Sequence, residues 1–278
     1  MKLALSVRIA EAPCKTKLNS PPEELLQLAR RHGYEALCVR ASLVGVQSTT
    51  EEIAAAAHAI HRAEMPVSMV TADFDVPLNN DDGPNSLREI GPSLNVAAAL
   101  RCDLIRVCLK TADDIPYARR AADEAAERGI RLAHQCHTTT LFENVDESLD
   151  VIRQIDRANF GVIYEPANLM LCGDSYGLQT LRRLQPHLMN VYVQNHRLDA
   201  RGPESLPTWS MGERRFHHIP IWQAGGVRFP LVVESLRRIG YRGSFTIHQA
   251  YAHLMGPAEA AERSAEYIRS LLAESSSQ

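Results

Sequence analysis

Asn159-Phe-Gly-Val-Ile-Tyr-Glu-Pro-Ala-Asn168 is a short apolar run that closes on a carboxylate, a proline and an amide. Its length and apolar content predict a buried strand. Alternation places Gly161, Ile163 and Glu165 on one face and Phe160, Val162 and Tyr164 on the other. Pro166 has no N–H to give to a ladder, so the strand ends there. Glu165 therefore stands at the carboxyl end of a buried strand, where an uncompensated charge is costly. An arginine or a metal must answer it.

The same rhythm extends in both directions. Upstream, strands are expected over 2–8, 36–40, 66–71, 103–109 and 130–135, and helices over 21–32, 50–64, 87–100, 113–128 and 145–157. Leu25, Leu26, Leu28 and Ala29 follow helical spacing after a proline start. Thr49 or Thr50 opens the second helix, with acids in its first turn. Downstream, strands are expected over 160–165, 189–194 and 243–248, and helices over 176–185, 227–239 and 257–272. Stretches 73–85 and 196–226 read as long loops, the first rich in Asp, Asn, Pro and Gly. The tail 274–278 is polar and expected to fray.

Eight strand–helix pairs with no linker between them imply a parallel sheet. A closed (β/α)8 TIM barrel of roughly 250 residues accommodates them as one domain, here over 1–273. The rival is an open doubly wound sheet, but no glycine-rich phosphate fingerprint follows the first strand.

The 278 residues are 45% hydrophobic and 23% charged, ordinary for a globular chain. The net charge of −3 carries no basic excess of the kind that marks nucleic-acid or membrane-surface binding. No apolar run approaches the roughly 20 residues of a membrane span, and the N-terminus lacks the pattern of a signal peptide. Cys14, Cys38, Cys102, Cys108, Cys136 and Cys172 form no Cys-x-x-Cys pair and read as reduced thiols of a cytoplasmic protein.

In such a barrel the inward residues at the carboxyl ends of the strands line the active site. Strand parity brings Arg8, Arg40, Thr71, Asp73, Arg106, Cys108, Lys110, Gln135, His137, Glu165, Gln194, His196, Thr246 and His248 to that end. A mouth this polar is hard to attribute to folding alone. The guanidinium forks of Arg8, Arg40 and Arg106, with Lys110, suit a carboxylate or phosphate on a substrate. The alternative is that an arginine neutralises Glu165 or Asp73.

These motifs resemble the xylose isomerase-like barrels, grouped as sugar phosphate isomerases/epimerases, which share their fold with endonuclease-type members. The resemblance covers nearly the whole chain. It rests on Leu132-Ala-His-Gln-Cys-His137, Glu165-Pro-Ala-Asn168, Gln194-Asn-His-Arg197, Met211-Gly-Glu-Arg214 and Gly243-Ser-Phe-Thr-Ile-His248. It implies a divalent metal (Mn, Mg, Zn or similar) held by Gln135, Glu165, Gln194 and His248. Where the family brings three carboxylates and a histidine, this set brings one carboxylate, one histidine and two amides. Amide oxygens bind hard cations and imidazole suits Zn, Fe, Ni or Cu, so a site is chemically possible, with weaker affinity for Mg²⁺ or Mn²⁺.

The resemblance further implies a sugar, keto-sugar or polyhydroxy-acid substrate. A metal-bound carbonyl loses a neighbouring proton to a base, and the outcome is isomerisation, epimerisation or elimination. Gln135 cannot shuttle a proton, so two-base epimerisation loses ground to one-base isomerase or lyase chemistry. His137, His196, Lys110 and His248 are the candidate bases. Asn168, Trp209 and His218 join the arginines as candidate substrate contacts. Adjacent His217 and His218 cannot both point one way, so at most one enters the site. A non-catalytic sugar-binding barrel with a degenerate metal site is the alternative, and an endonuclease-type phosphodiesterase a remoter one. Leu43, Val44 and Val46 could serve a homodimer or a lid, and Trp209, Phe216 and Trp222 could pack the long loop down or build a subunit contact.

Overall fold

The computed structural model describes residues 1–72 and 80–274. Asp73, the loop segment up to 79 and the tail from 275 lie outside the described residues.

Eight parallel strands close a barrel. They are β1 (Lys2–Ser6), β2 (Ala36–Val39), β3 (Val67–Thr71), β4 (Leu104–Val107), β5 (Arg131–Gln135), β6 (Phe160–Tyr164), β7 (Leu188–Val193) and, after an excursion of three short strands, β11 (Ser244–Ile247). Each pairs with its sequence neighbour, and β11 closes onto β1 with Leu3 opposite Phe245 and Leu5 opposite Ile247. The fold is a single (β/α)8 TIM barrel.

The connecting helices are α1 (Pro22–Arg31), α2 (Thr50–Arg62), α3 (Asn85–Arg88), α4 (Gly91–Ala99), α5 (Ile115–Ala126), α6 (Val145–Ile155), α7 (Pro166–Leu171), α8 (Leu178–Leu184), α9 (Phe229–Arg238) and α10 (Pro257–Glu274). Their starts are written locally. Thr49 caps α2 in a reciprocal box with Glu52, and Asn144 caps α6 by accepting from Glu147 N–H at 2.9 Å.

Strand parity separates two cores. Cys38, Met69, Leu104, Ala133, Ile163 and Tyr192 fill the barrel lumen. The alternate residues, such as Leu132, Phe160, Val162, Tyr164 and Val191, pack outward against the helices. The faces of β6 thus divide as its alternation requires.

Several elements differ from expectation. The first strand ends at Ser6, and Arg8 lies on a 3-10 turn over Val7–Ala10, where Ser6 Oγ accepts its N–H at 3.3 Å. The third helix is broken in two, with Gly91 and Pro92 restarting it as α4. Pro166 ends β6 and also opens the short helix α7, a position where its missing N–H costs nothing. The stretch expected as a loop over 196–226 holds an antiparallel sheet of β8 (His196–Leu198), β9 (Glu204–Thr208) and β10 (Gly212–His218), in the order β8-β10-β9. Pro207 is tolerated there because β9 is an edge strand. Gly212, at φ 67, turns the tip, and Thr208 Oγ1 donates to Gly212 O at 2.9 Å.

Val44 is buried in the core and Leu43 packs against it. All six cysteines are free, five of them buried. Among the described residues no helix is long and apolar enough to cross a membrane.

Candidate active site

The carboxyl ends of the strands and the β8–β10 sheet enclose a cavity of about 480 Å³. Its lining includes Arg8, Arg40, Arg106, Gln135, His137, Asn168, Gln194, His196 and His218 from the expected set. Glu165 and His248 lie fully buried beneath it.

Glu165 is the centre. It caps β6 at the first position beyond the strand and is wholly inaccessible. Its Oε2 accepts from Gln135 Nε2 and, at 3.0 Å, from Asn168 Nδ2; its Oε1 accepts from Gln194 Nε2. Asn168 also donates to Cys136 O at 2.9 Å, so α7 and β5 orient this amide together. Burial pushes the Glu165 carboxyl up to about 7, against the pull of Gln194, Arg8 and Arg106. The sequence alternatives were an arginine or a metal; the observed hydrogen-bond partners are three amides, with the guanidiniums acting through space.

His248 stacks face to face on Tyr192, ring centroids 3.8 Å apart, and its Nδ1 meets Ser6 Oγ at 3.1 Å. Its Nε2 is buried with no hydrogen-bond partner. Burial and then Arg8 hold its pKa well below the usual range, so the ring is neutral. In the tautomer that donates its Nδ1 proton to Ser6, Nε2 presents a lone pair.

His196 and His218 form a second imidazole group. Their rings lie 4.7 Å apart, and His196 packs 4.5 Å from Phe216. The Nδ1 atoms of both are buried without a hydrogen-bond partner. Burial holds His196 neutral, and burial with Arg8 brings His218 down to about 4. His137 is half-buried, its Nδ1 3.0 Å from Thr138 O, and burial followed by Arg106 lowers its pKa. Only one of the adjacent pair enters the cavity: His218 lines it, while His217 turns away to Asp199 at 3.0 Å.

Arg40 is engaged at short range. Its Nε donates to Glu11 Oε1 at 2.5 Å, and Ser42 Oγ donates to the same oxygen at 2.7 Å. Arg106 is buried with its guanidinium 5.9 Å from the Tyr192 ring centroid. Lys110 and Trp209 stand elsewhere. Both line an adjoining cleft of about 820 Å³, where Lys110 Nζ is 3.4 Å from Asp81 Oδ1. Lys110 thus faces the neighbouring cleft rather than Glu165, because it lies three residues past the end of β4, where strand parity no longer applies.

Three residues that the sequence reading passed over shape the site: Ser6, which orients His248; Glu11, which holds Arg40; and Glu143, which ties down the β9–β10 tip. Nothing local marks them, since each acts on a partner more than 28 residues away.

The residues implied as metal ligands can be tested against this geometry. Among the described residues no three His, Cys, Asp or Glu side chains gather into a metal cluster. The set nevertheless fits a cation. Among the described residues Gln135 Oε1 and His248 Nε2 are buried with no hydrogen-bond partner, and Glu165 is the one carboxylate of the set. Ser6 engages the His248 Nδ1 and so orients the ring, as an outer-shell partner does in metal sites.

The chain belongs to the xylose isomerase-like TIM barrel family, whose profile matches residues 26–271. Solved structures share the fold at low identity. A xylose isomerase-like TIM barrel protein from Mycobacterium smegmatis, in complex with magnesium, is 14% identical with a TM-score of 0.72, covering 98% of this chain and 97% of that one. A probable 3-DHS dehydratase involved in petrobactin synthesis from Bacillus anthracis is 12% identical with a TM-score of 0.73, covering 97% and 99%. The 3-keto-D-glucoside 4-epimerase of E. coli is 15% identical with a TM-score of 0.69, covering 97% and 99%. No curated protein compared with the chain matches it.

Proposed function

We propose that this chain is a sugar-modifying enzyme that removes a proton beside the carbonyl of a keto-sugar or sugar acid, with isomerisation or elimination as the outcome. The observation that carries this reading is the placement of His137 and His196 in an arginine-lined cavity above the buried carboxyl of Glu165. A neutral imidazole at pH 7 accepts a proton without first losing one. His196 and His137 are the bases this arrangement favours. Arg8 and Arg106 would hold a substrate carboxylate and oppose the charge that develops on the carbonyl oxygen.

The step balances within these groups. The C–H electron pair moves toward the carbonyl, whose oxygen gains the negative charge, and the proton passes to imidazole nitrogen. Return of that proton to the former carbonyl carbon, while the proton of the adjacent hydroxyl passes to the oxygen that had gained the charge, leaves the carbonyl on the neighbouring carbon and gives the isomer. Its delivery instead to a hydroxyl one carbon further on, as the carbonyl re-forms, a carbon–carbon double bond forms and that C–O bond breaks, releases water and gives elimination. Gln135 titrates nowhere in this range, which favours one base over the paired acids of a two-base epimerase. A divalent metal, proposed at Gln135 Oε1, Glu165, Gln194 and His248 Nε2, supplies Lewis acidity to the carbonyl when bound.

Elemental analysis of untagged protein beside Glu165→Ala, with turnover of a panel of keto-sugars and sugar acids, tests the reading. Metal near one per chain, lost in the variant, together with turnover lost in His196→Asn or His137→Asn, supports it. Sugar binding without turnover of any panel member would replace it with a non-catalytic sugar-binding barrel.

A further inference from the structure

The cleft beside the mouth has no role in the chemistry above, yet it is built as a binding site. It measures about 820 Å³ and shares Thr139 and Pro207 with the cavity at the barrel mouth, so the two open side by side. Its charges are matched within it. Lys110 Nζ lies 3.4 Å from Asp81 Oδ1, and Arg88 Nη2 lies 3.0 Å from Asp114 Oδ1. A surface so compensated offers no net attraction to an anion, but it presents donors and acceptors in pairs, as hydroxyl groups require. Its floor is rigid: buried Asp114 also accepts the backbone N–H of Lys110 at 2.8 Å and of Thr111 at 2.9 Å.

Trp209 stands in the wall of this cleft with 55% of its surface exposed. An indole left that open is a large apolar face that no described residue covers. The backbone that carries it is also held in place. Glu143 is 1% exposed and accepts from Trp209 N–H at 3.0 Å, Ser210 N–H at 2.7 Å and Ser210 Oγ at 2.7 Å. An aromatic plane in one cleft with paired polar groups matches a sugar ring, which has apolar C–H faces and a hydroxyl rim.

We infer that this cleft is a second, uncharged sugar subsite, so that the substrate carries a neutral glycosyl residue on the ring that reacts in the mouth. The inference rests on the proposed reading of the mouth as the place of a sugar acid or keto-sugar. The glycosyl ring lies over Trp209 with its hydroxyls toward Lys110 and Arg88, and the acid end meets Arg8.

Calorimetric titration of the full-length protein with gluconate, and with lactobionate, cellobionate and maltobionate, which each add a neutral sugar to the same acid, tests this. An aromatic platform of this kind is expected to strengthen binding of at least one of the disaccharide acids about tenfold over gluconate. That margin should fall to near one in Trp209→Ala and be largely kept in Trp209→Phe. Arg8→Gln should weaken all four acids together. Equal binding of gluconate and the disaccharide acids overturns the subsite while leaving the reading of the mouth intact, as does a margin that survives in Trp209→Ala. If no acid binds, the acid reading of the mouth fails, and cellobiose, maltose and lactose decide the cleft. Binding of one of them that depends on Trp209 supports it, and binding of none overturns it.

Discussion

The carboxylate of Glu143, in the loop after β5, accepts the backbone N–H of Trp209 at the tip of the β9–β10 hairpin, at 3.0 Å. Four donors in all converge on it, from Thr139, Trp209 and both the N–H and the hydroxyl of Ser210. Burial pushes this carboxyl up, but the hydrogen bonds outweigh it and hold it below the ordinary range. Glu143→Ala leaves those donors unmatched and should cost about 2 kcal/mol. Urea denaturation checks the loss, and limited proteolysis should show earlier cutting within 199–215. An unchanged cutting pattern would mean that the barrel mouth holds the hairpin without Glu143.

Arg40 and Glu11 form a buried ion pair at 2.5 Å beside Arg8. Removing the carboxylate leaves the guanidiniums to repel one another in a poorly solvated place. Glu11→Ala is therefore expected to lower stability by about 3 kcal/mol, with Glu11→Gln milder. Equilibrium unfolding measures both. Stability equal to the parent chain in Glu11→Ala would show that the pair is not structural.

His134 is completely buried on the outer face of β5, stacked on Phe142 with ring centroids 4.2 Å apart. Burial, reinforced by Arg106, brings its pKa down to about 3 from the usual 6.5. The unfolded chain therefore binds a proton below pH 6.5 that the folded chain refuses, and stability falls as the pH drops through that window. One such histidine accounts for about 2 kcal/mol between pH 6.5 and 5. His134→Phe keeps a flat ring and removes the titration, so its urea midpoint should fall less steeply with acid. Parallel pH profiles for variant and parent would refute the assignment.

Gly161 has ordinary backbone dihedrals, yet a Cβ there would lie 2.2 Å from His187 O and 2.9 Å from Met189 Cε. The backbone of the neighbouring strand cannot withdraw as a flexible side chain would. Gly161→Ala should lose roughly 2–3 kcal/mol, seen as a lower thermal midpoint. A neutral outcome would mean that β6 and β7 part more easily than their pairing suggests.

Much of this protein is legible along the chain. Short apolar strands alternate with amphipathic helices, and each strand ends on a proline, a glycine-bearing loop or a polar residue. That pattern is local, because a strand buried on both sides must be apolar and must stop where its backbone stops pairing. It placed Glu165 at the end of β6 and, by parity alone, Gln135 and Gln194 beside it. The antiparallel sheet over 196–218 was not legible. Its strands are short, polar and rich in Arg and His, and they pair only with one another, so no apolar alternation marks them. Lys110 misled for a related reason, since parity holds only while the strand lasts.

By itself the sequence determined the barrel, its family and most of the expected residues that line its mouth, since each follows from periodicity and from motifs within a few residues. Only the tertiary structure decided the partners. Glu165 meets amides rather than guanidiniums, Arg40 meets Glu11, Ser6 orients His248 across the barrel seam, and Lys110 and Trp209 line a second cleft. These pairings join residues up to 242 positions apart. They are set by closure of the barrel and by which side chains reach across it, and no local pattern encodes either.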